Sequence, residues 1–90
     1  MRVIKKEDYF LKVELVGEDH TIANLIAKYA IRHPNVTYAA YNIEHPLVSN
    51  PVLIIRTRDK RAVEVFREVL EKILEDVGRV EERLSRLLLE

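Results

Sequence analysis

The apolar positions in the last third of the chain follow a heptad repeat. Between residues 60 and 90 they step alternately by three and four residues, and we call this set the heptad stripe: Val63, Phe66, Leu70, Ile73, Val77, Val80, Leu84 and Leu87. Such spacing predicts one long helix over residues 60–88, roughly 43 Å at 1.5 Å per residue, with a face suited to another helix. Gly78 interrupts the run. A glycine there could end the helix, but the stripe keeps its phase across it, so we expect the helix to continue.

The amino-terminal third predicts a hairpin. Alternation over residues 9–16 indicates a half-buried strand with Lys12 and Glu14 on its outer face. The residues expected on its inner face are Tyr9, Leu11, Val13 and Leu15. A shorter strand over residues 2–5 precedes it, and residues 6–8 are the expected connection.

A helix is predicted after Gly17. Its apolar positions, at helical spacing, are Ile22, Leu25, Ile26 and Tyr29. Asp19 or Thr21 is suited to cap its start, and the helix is expected to end near His33, before Pro34.

Two further strands and a final helix complete the prediction. Residues 36–43 and 52–57 are rich in β-branched and aromatic side chains, and Asp59 is the expected cap of the last helix. The order β-β-α-β-β-α predicts an α+β fold: a mostly antiparallel sheet covered on one face by two helices, the second of them long. A chain of 90 residues is expected to form one domain, 1–90.

Composition limits the function. Fifteen basic and fifteen acidic side chains give a net charge of zero, so no overall field attracts nucleic acid or an acidic membrane. Without cysteine there is no disulfide, thiolate nucleophile or cysteine metal site. A charged start and the lack of an apolar run near the roughly 20 residues of a membrane span predict a cytoplasmic protein without a membrane segment.

Candidate catalytic chemistry is sparse. His20, His33 and His45 share no metal-ligand spacing, and neither Ser49 nor Ser85 lies in a nucleophile-elbow sequence. We therefore expect no catalytic residue, metal or cofactor. A small enzyme that uses His20 or His45 is retained as one alternative.

One basic cluster has two interpretations. Arg56, Arg58, Lys60 and Arg61 could meet a phosphate backbone, or they could form a solvated strand end paired with nearby acids such as Asp59 and Glu64. Because no aromatic side chains are interleaved with them, direct contact with nucleic acid is not expected.

The second half of the final helix needs a cover. Its apolar side chains are Val77, Val80, Leu84, Leu87 and Leu88. Exposing them would forgo roughly 7 to 15 kcal/mol as an upper estimate, against a net stability of about 5 to 15 kcal/mol for a whole small domain. We expect residues 62–74 to cover the chain's own sheet and the later part to meet a partner. A homodimeric module that binds a ligand or nucleic acid between its helices is a second alternative.

Three sequence segments resemble a known family. GEDHTIANL at 17–25, AAYNIEHPL at 39–47 and PVLI at 51–54 resemble subunit L of archaeal RNA polymerase and its eukaryotic counterparts. With the predicted last helix, the resemblance spans nearly the whole chain. Many relatives carry glycine where Ala23 and Ala40 stand here, and Ala40 could alter how closely a neighbour approaches.

The resemblance implies a small dimerisation domain, similar to the assembly domain of the bacterial α subunit. It implies pairing with the larger D subunit of the polymerase, a platform for further subunits, no small-molecule substrate, and DNA-templated polymerisation as an activity of the complex only. Helix-to-helix packing in that family gives the expected partner-binding residues: Ile22, Ala23, Leu25, Ile26, Tyr29, Phe66, Leu70, Ile73, Val77, Val80, Leu84, Leu87 and Leu88.

Overall fold

A computed structural model describes residues 1–43, 50–78 and 82–89 of the chain. Its elements are β1 Arg2–Glu7, β2 Phe10–Glu14, α1 His20–Arg32, β3 Val36–Asn42, β4 Val52–Thr57, α2 Ala62–Val77 and α3 Glu82–Leu89. The strands form one sheet in the order β1-β2-β4-β3, and every neighbouring pair is antiparallel. The predicted α+β fold with an antiparallel sheet is confirmed.

The sheet has a buried face and an open face because side chains alternate along each strand. Leu11 and Val13 of β2 are buried on the same face as their partners Ile55 and Leu53 of β4, under the helices. On the open face, Phe10, Arg56 and Tyr38 form a row across β2, β4 and β3. The Arg56 guanidinium lies 4.7 Å from the centroid of the Phe10 ring.

The hairpin differs in detail from the prediction. β1 extends to Glu7, so the turn lies at Asp8 and Tyr9 rather than at residues 6–8. Tyr9 was expected on the inner face, but it belongs to this turn and is 52% exposed. Alternation correctly predicted that Leu11, Val13 and Leu15 are buried. It failed at Tyr9 because side chains alternate between the two faces only within the strand, which begins after the turn.

The limits of α1 agree with its sequence signals. The Asp19 carboxylate accepts hydrogen bonds from the backbone N–H groups of Thr21 at 3.0 Å and Ile22 at 3.2 Å. These bonds satisfy donors that the first helical turn leaves unpaired. His33 is the C-cap residue, and Pro34 follows it.

The start of α2 is capped in an unexpected way, and the prediction of Asp59 as its cap was wrong. Asp59 adopts a left-handed conformation with φ of 66° two residues before the N-cap position, which Arg61 occupies without a side-chain cap bond. The N–H of Ala62 instead donates to the backbone carbonyl of Asp8 at 2.8 Å. The turn between β1 and β2 therefore satisfies a donor at the start of α2 from far away in sequence.

The prediction of one continuous final helix was also wrong. α2 ends at Val77, and Gly78 takes the left-handed C-cap conformation, with φ of 73° and its N–H donating to the carbonyl of Glu75 at 3.1 Å. α3 then packs on the same domain, with Leu84 and Leu87 in the chain's own core. The folded-back arrangement is the more stable one for the lone chain because a straight helix of roughly 43 Å would leave both leucines in solvent.

The buried side of α2 also departs from the heptad stripe. Val65 and Val69 lie outside the stripe but are buried, whereas Val63 and Val77 belong to it but are exposed. α2 lies on a sheet and beside α1, so it buries a broad arc of 3.6-residue period rather than a narrow coiled-coil seam. The prediction that residues 62–74 cover the chain's own sheet is confirmed by the burial of Ala62, Val65, Phe66, Val69, Leu70 and Ile73.

Candidate functional site

The candidate interaction surface is the helical face, which we define as the outer side of α1, α2 and α3. Many of the expected partner-binding residues lie beneath this face, in the chain's own core: Ile22, Ala23, Ile26, Phe66, Leu70, Ile73, Leu84 and Leu87. Leu25, Tyr29 and Leu88 are half-buried, and Val77 is 42% exposed. Val80 lies outside the described residues. In this conformation Leu84 and Leu87 need no partner for their burial.

Sequence reasoning missed two exposed apolar residues on the helical face. Ile31 is 63% exposed on the last turn of α1, and Val63, although part of the heptad stripe, is exposed on the first turn of α2. Ile31 carried a readable signal, because it falls outside the i, i+3, i+4 spacing that marks the inner side of α1. Together with Val77, these are the exposed large apolar side chains on the described part of the three helices.

A groove of about 340 Å³ separates the outer edges of α1 and α2. Its walls are Tyr29, Arg32, His33, Pro34, Glu68, Val69, Lys72 and Asp76. Tyr29 Oη donates to Asp76 Oδ2 at 2.9 Å and so ties α1 to the end of α2. This bond raises the pKa of Tyr29 and lowers the pKa of Asp76, while Asp76 in turn raises the pKa of Lys72.

At the other end of the groove, His33 links the end of α1 to α2. The backbone N–H of Asn35 donates to His33 Nδ1 at 3.1 Å, so the ring proton belongs on Nε2, which lies 2.8 Å from Glu68 Oε1. Glu68 also pairs with Lys60. Hydrogen bonds from Lys60 and then His33 lower the pKa of Glu68. This arrangement positions two helices and leaves His33 no free nitrogen for catalysis.

The opposite flank of α2 is covered by α3. A cavity of about 200 Å³ there is lined in part by Val3 of β1, Phe66 and Leu70 of α2, and Leu87 of α3. Arg83 Nη1 lies 3.5 Å from Glu18 Oε2 and 3.7 Å from Asp19 Oδ2, so it joins α3 to the start of α1. Hydrogen bonding from the backbone N–H of Ile22, aided by Arg83, lowers the pKa of Asp19. No pattern in the sequence marks these ion pairs.

The remaining histidine and serine candidates do not converge. His20 Nδ1 lies 3.4 Å from Tyr41 Oη, the rings meet edge to face, and Ser85 lies on α3. His45 and Ser49 fall outside the described residues. Within residues 1–43, 50–78 and 82–89, no group of three or more His, Cys, Asp or Glu is placed to hold a metal ion. In the same ranges, no helix is long and apolar enough to cross a membrane.

The basic cluster is divided among different neighbours. Lys60 pairs with Glu68, and Arg61 Nη2 lies 3.7 Å from Asp8 Oδ1, so these partners are not the suggested Asp59 and Glu64. Arg56 points to the open face of the sheet, over Phe10. The sequence did not reveal this aromatic neighbour, because only the cross-strand register brings the two residues together.

Comparison with known proteins relates these elements to one family. Residues 11–83 match the family model described as the RNA polymerase Rpb3/Rpb11 dimerisation domain. DNA-directed RNA polymerase subunit Rpo11 of Sulfurisphaera tokodaii is 29% identical over 91 residues, covering 92% of this chain and 98% of that protein. Rpo11 of Pyrococcus horikoshii is 39% identical over 79 residues, covering 88% of this chain and 78% of that protein.

A solved structure shares the fold as well as the sequence. The crystal structure of DNA-directed RNA polymerase subunit L from Thermoplasma acidophilum matches with a TM-score of 0.70 and 29% identity, covering 86% of this chain and 79% of that chain. The family match at residues 11–83 takes in β2, α1, β3, β4 and α2 and ends within α3. It therefore includes most of the helical face.

Proposed function

Because this chain belongs to the Rpb3/Rpb11 dimerisation-domain family of RNA polymerase subunits, as its resemblance to archaeal subunit L predicted, we propose that it pairs with the larger D subunit of the polymerase through its helical face. The pair forms the platform on which further polymerase subunits assemble. The chain acts in the cytoplasm. In this proposal it contributes no catalytic group, cofactor site or small-molecule site, and nucleotide polymerisation belongs to the complex.

The observation that carries the proposal is the match of residues 11–83 to a dimerisation domain. The distribution of side chains supports the helical face as the place of pairing. Ile31, Val63 and Val77 expose apolar surface there. Exposed charges occur on both surfaces, for example Arg56 on the open face of the sheet and Glu71 on α2, so charge does not distinguish them.

Co-expression with an archaeal D subunit, which alone carries an affinity tag, tests the proposal. We expect a one-to-one complex that survives 1 M NaCl, since apolar packing is not screened by salt. Val77→Asp should weaken this complex at least tenfold in a binding titration, because the new carboxylate is buried without a partner.

Val16→Asp is the matched control. Val16 is a valine of similar exposure, 51% against 42% for Val77, but it follows β2 and lies on none of the helices. It should bind the D subunit as the parent chain does. Equal effects of the two substitutions would move the interface away from the end of α2. A chain that sediments as a stable homodimer and ignores the D subunit would favour the alternative of a homodimeric module.

A further inference from the structure

α3 covers one flank of α2 in the lone chain. We propose that α3 is an intramolecular substitute for the partner's helix: it shields the flank of α2 in the lone chain, and the D subunit takes its place when the two chains pair. The inference rests on the proposed function and adds a step that precedes pairing.

The first observation is the position of α3 along α2. Leu87 shares a cavity with Val63 and Phe66, close to the start of α2. In a straight helix Phe66 and Leu87 would be separated by roughly 31 Å at 1.5 Å per residue. The chain therefore reverses direction after α2, and α3 runs back along the flank that contains Phe66 and Leu70. Leu84 and Leu87 fill this flank with the kind of contact that a helix from another chain would make.

The second observation is the phase of the heptad stripe. Val77 is the last stripe residue in α2, and Leu84 and Leu87 continue the three-and-four spacing beyond Gly78. A helix that folds back needs no fixed phase relative to the one before it, because the reversal sets its orientation anew. A kept phase is useful only where the two segments form one straight helix with a single apolar face. The same leucines thus suit two arrangements.

The third observation is the nature of the link between α2 and α3. Gly78 adopts φ of 73°, which only glycine takes without strain, and no atom lies within 4 Å of the position where a Cβ would stand. An alanine would fit sterically but would disfavour the left-handed conformation and favour helix. Together these two effects should shift the balance toward the straight helix by on the order of 30- to 100-fold.

The fourth observation is how completely the lone chain closes its surface. It exposes 5715 Å², near the roughly 5,500 Å² of a compact monomer of its mass, 10.6 kDa. Few apolar side chains remain exposed on the described part of the helical face. The surface that a dimerisation domain offers to its partner is thus partly occupied. When α3 occupies this surface in most chains, the apparent affinity for the partner is the intrinsic affinity multiplied by the fraction of chains in which the surface is open.

A distance measurement tests whether α3 moves. The chain has no cysteine, so Arg67→Cys and Arg86→Cys place two spin labels cleanly, on exposed positions of α2 and α3. In a straight helix these positions would be roughly 29 Å apart between Cα atoms. We expect a clearly shorter distance in the lone chain and a shift to the straight-helix value when the D subunit is added.

Gly78→Ala should show a substantial population at the straight-helix distance even in the lone chain, beside the shorter distance, and it should bind the D subunit with a dissociation constant up to about 30-fold lower. Gly17→Ala is the matched control: Gly17 has φ of 79° and equally open space, but it lies before α1. It should suffer similar backbone strain and leave both the distance and the affinity for the D subunit unchanged.

The outcomes separate this inference from the proposed function. A short distance that persists in the heterodimer would overturn the inference while pairing stands. A straight-helix distance in the lone parent chain would also overturn it. Failure of the D subunit to bind at all would overturn the proposed function and the displacement step with it.

Discussion

The substitution Leu84→Ala gives the sharpest test of α3 packing. Leu84 is fully buried, with 0% of its surface exposed. Truncating a buried leucine costs about 2 to 5 kcal/mol, a large share of the roughly 5 to 15 kcal/mol that stabilises a small domain. However, α3 is a terminal helix and can leave the core without unfolding the sheet. The loss is therefore limited by the free energy that holds α3 in place, and we expect about 2 to 3 kcal/mol.

Thermal and urea unfolding, followed by circular dichroism, measure this loss. At about 4 to 8 °C per kcal/mol for a domain of this size, the melting temperature should fall by roughly 8 to 24 °C. Ile31→Ala removes a comparable side chain from an exposed site, so its effect should stay within about 0.5 kcal/mol. Leu53→Ala, in the central strand β4, cannot be relieved by detachment and should cost at least as much as Leu84→Ala. If Leu84→Ala were as mild as Ile31→Ala, the packing of α3 described above would be wrong.

Three further predictions concern polar contacts. Hydrogen bonds from Lys60 lower the pKa of Glu68 below 4.5, so the ionised Glu68 should stabilise the fold above that pH, and this stabilisation should be lost as pH falls through the folded-state pKa. Urea unfolding between pH 7 and 3 should show the loss, about 1 kcal/mol or less because the site is partly exposed. The Glu68→Gln variant should not show it. The hydrogen bond to Asp76 raises the pKa of Tyr29 above 10.0, so this contact stabilises the fold below pH 10 and is lost as pH rises through the folded-state pKa. Ultraviolet titration should show one tyrosine that ionises at a higher pH than the others. Tyr29→Phe should remove this ionisation, and Asp76→Asn should lower its pKa. Thr57 Oγ1 donates to the carbonyl of Lys60 at 2.7 Å, so Thr57→Val should lower the free energy of unfolding by about 1 kcal/mol in urea. Thr57→Ser keeps the hydroxyl donor and should retain most of this stability.

Local sequence signals predicted the sheet and α1 well because their causes are local. Asp19 caps α1 through groups two and three residues away, and alternation in β2 follows directly from the strand pleat. The start of α2 could not be found in this way. Its first N–H donates to the carbonyl of Asp8, and only the completed hairpin brings that carbonyl near Ala62.

The end of α2 shows a different limit. The phase of the heptad stripe favoured continuity, and Gly78 favoured a stop. Local propensity and pattern are nearly balanced there, so burial elsewhere decides the outcome. Leu84 joins the core of the chain, where α3 packs against α2, and the sequence could not place these two segments side by side. The expected partner-binding set combined this stripe with Leu88 and with residues of α1. The structure places much of that set in the core of the lone chain, and its contact with a partner remains a prediction.

The two outer strands of the sheet carry a consequence for association. β1 and β3 form its edges, and each pairing has a register shift, between Val3 and Lys5 in β1 and between Val36 and Tyr38 in β3. An irregular edge offers a poor template to an incoming strand, and β1 adds the lysines Lys5 and Lys6. These irregularities therefore disfavour edge-to-edge growth of the sheet into aggregates. Under the proposed function, a chain that exists unpaired before it meets its partner benefits from this protection.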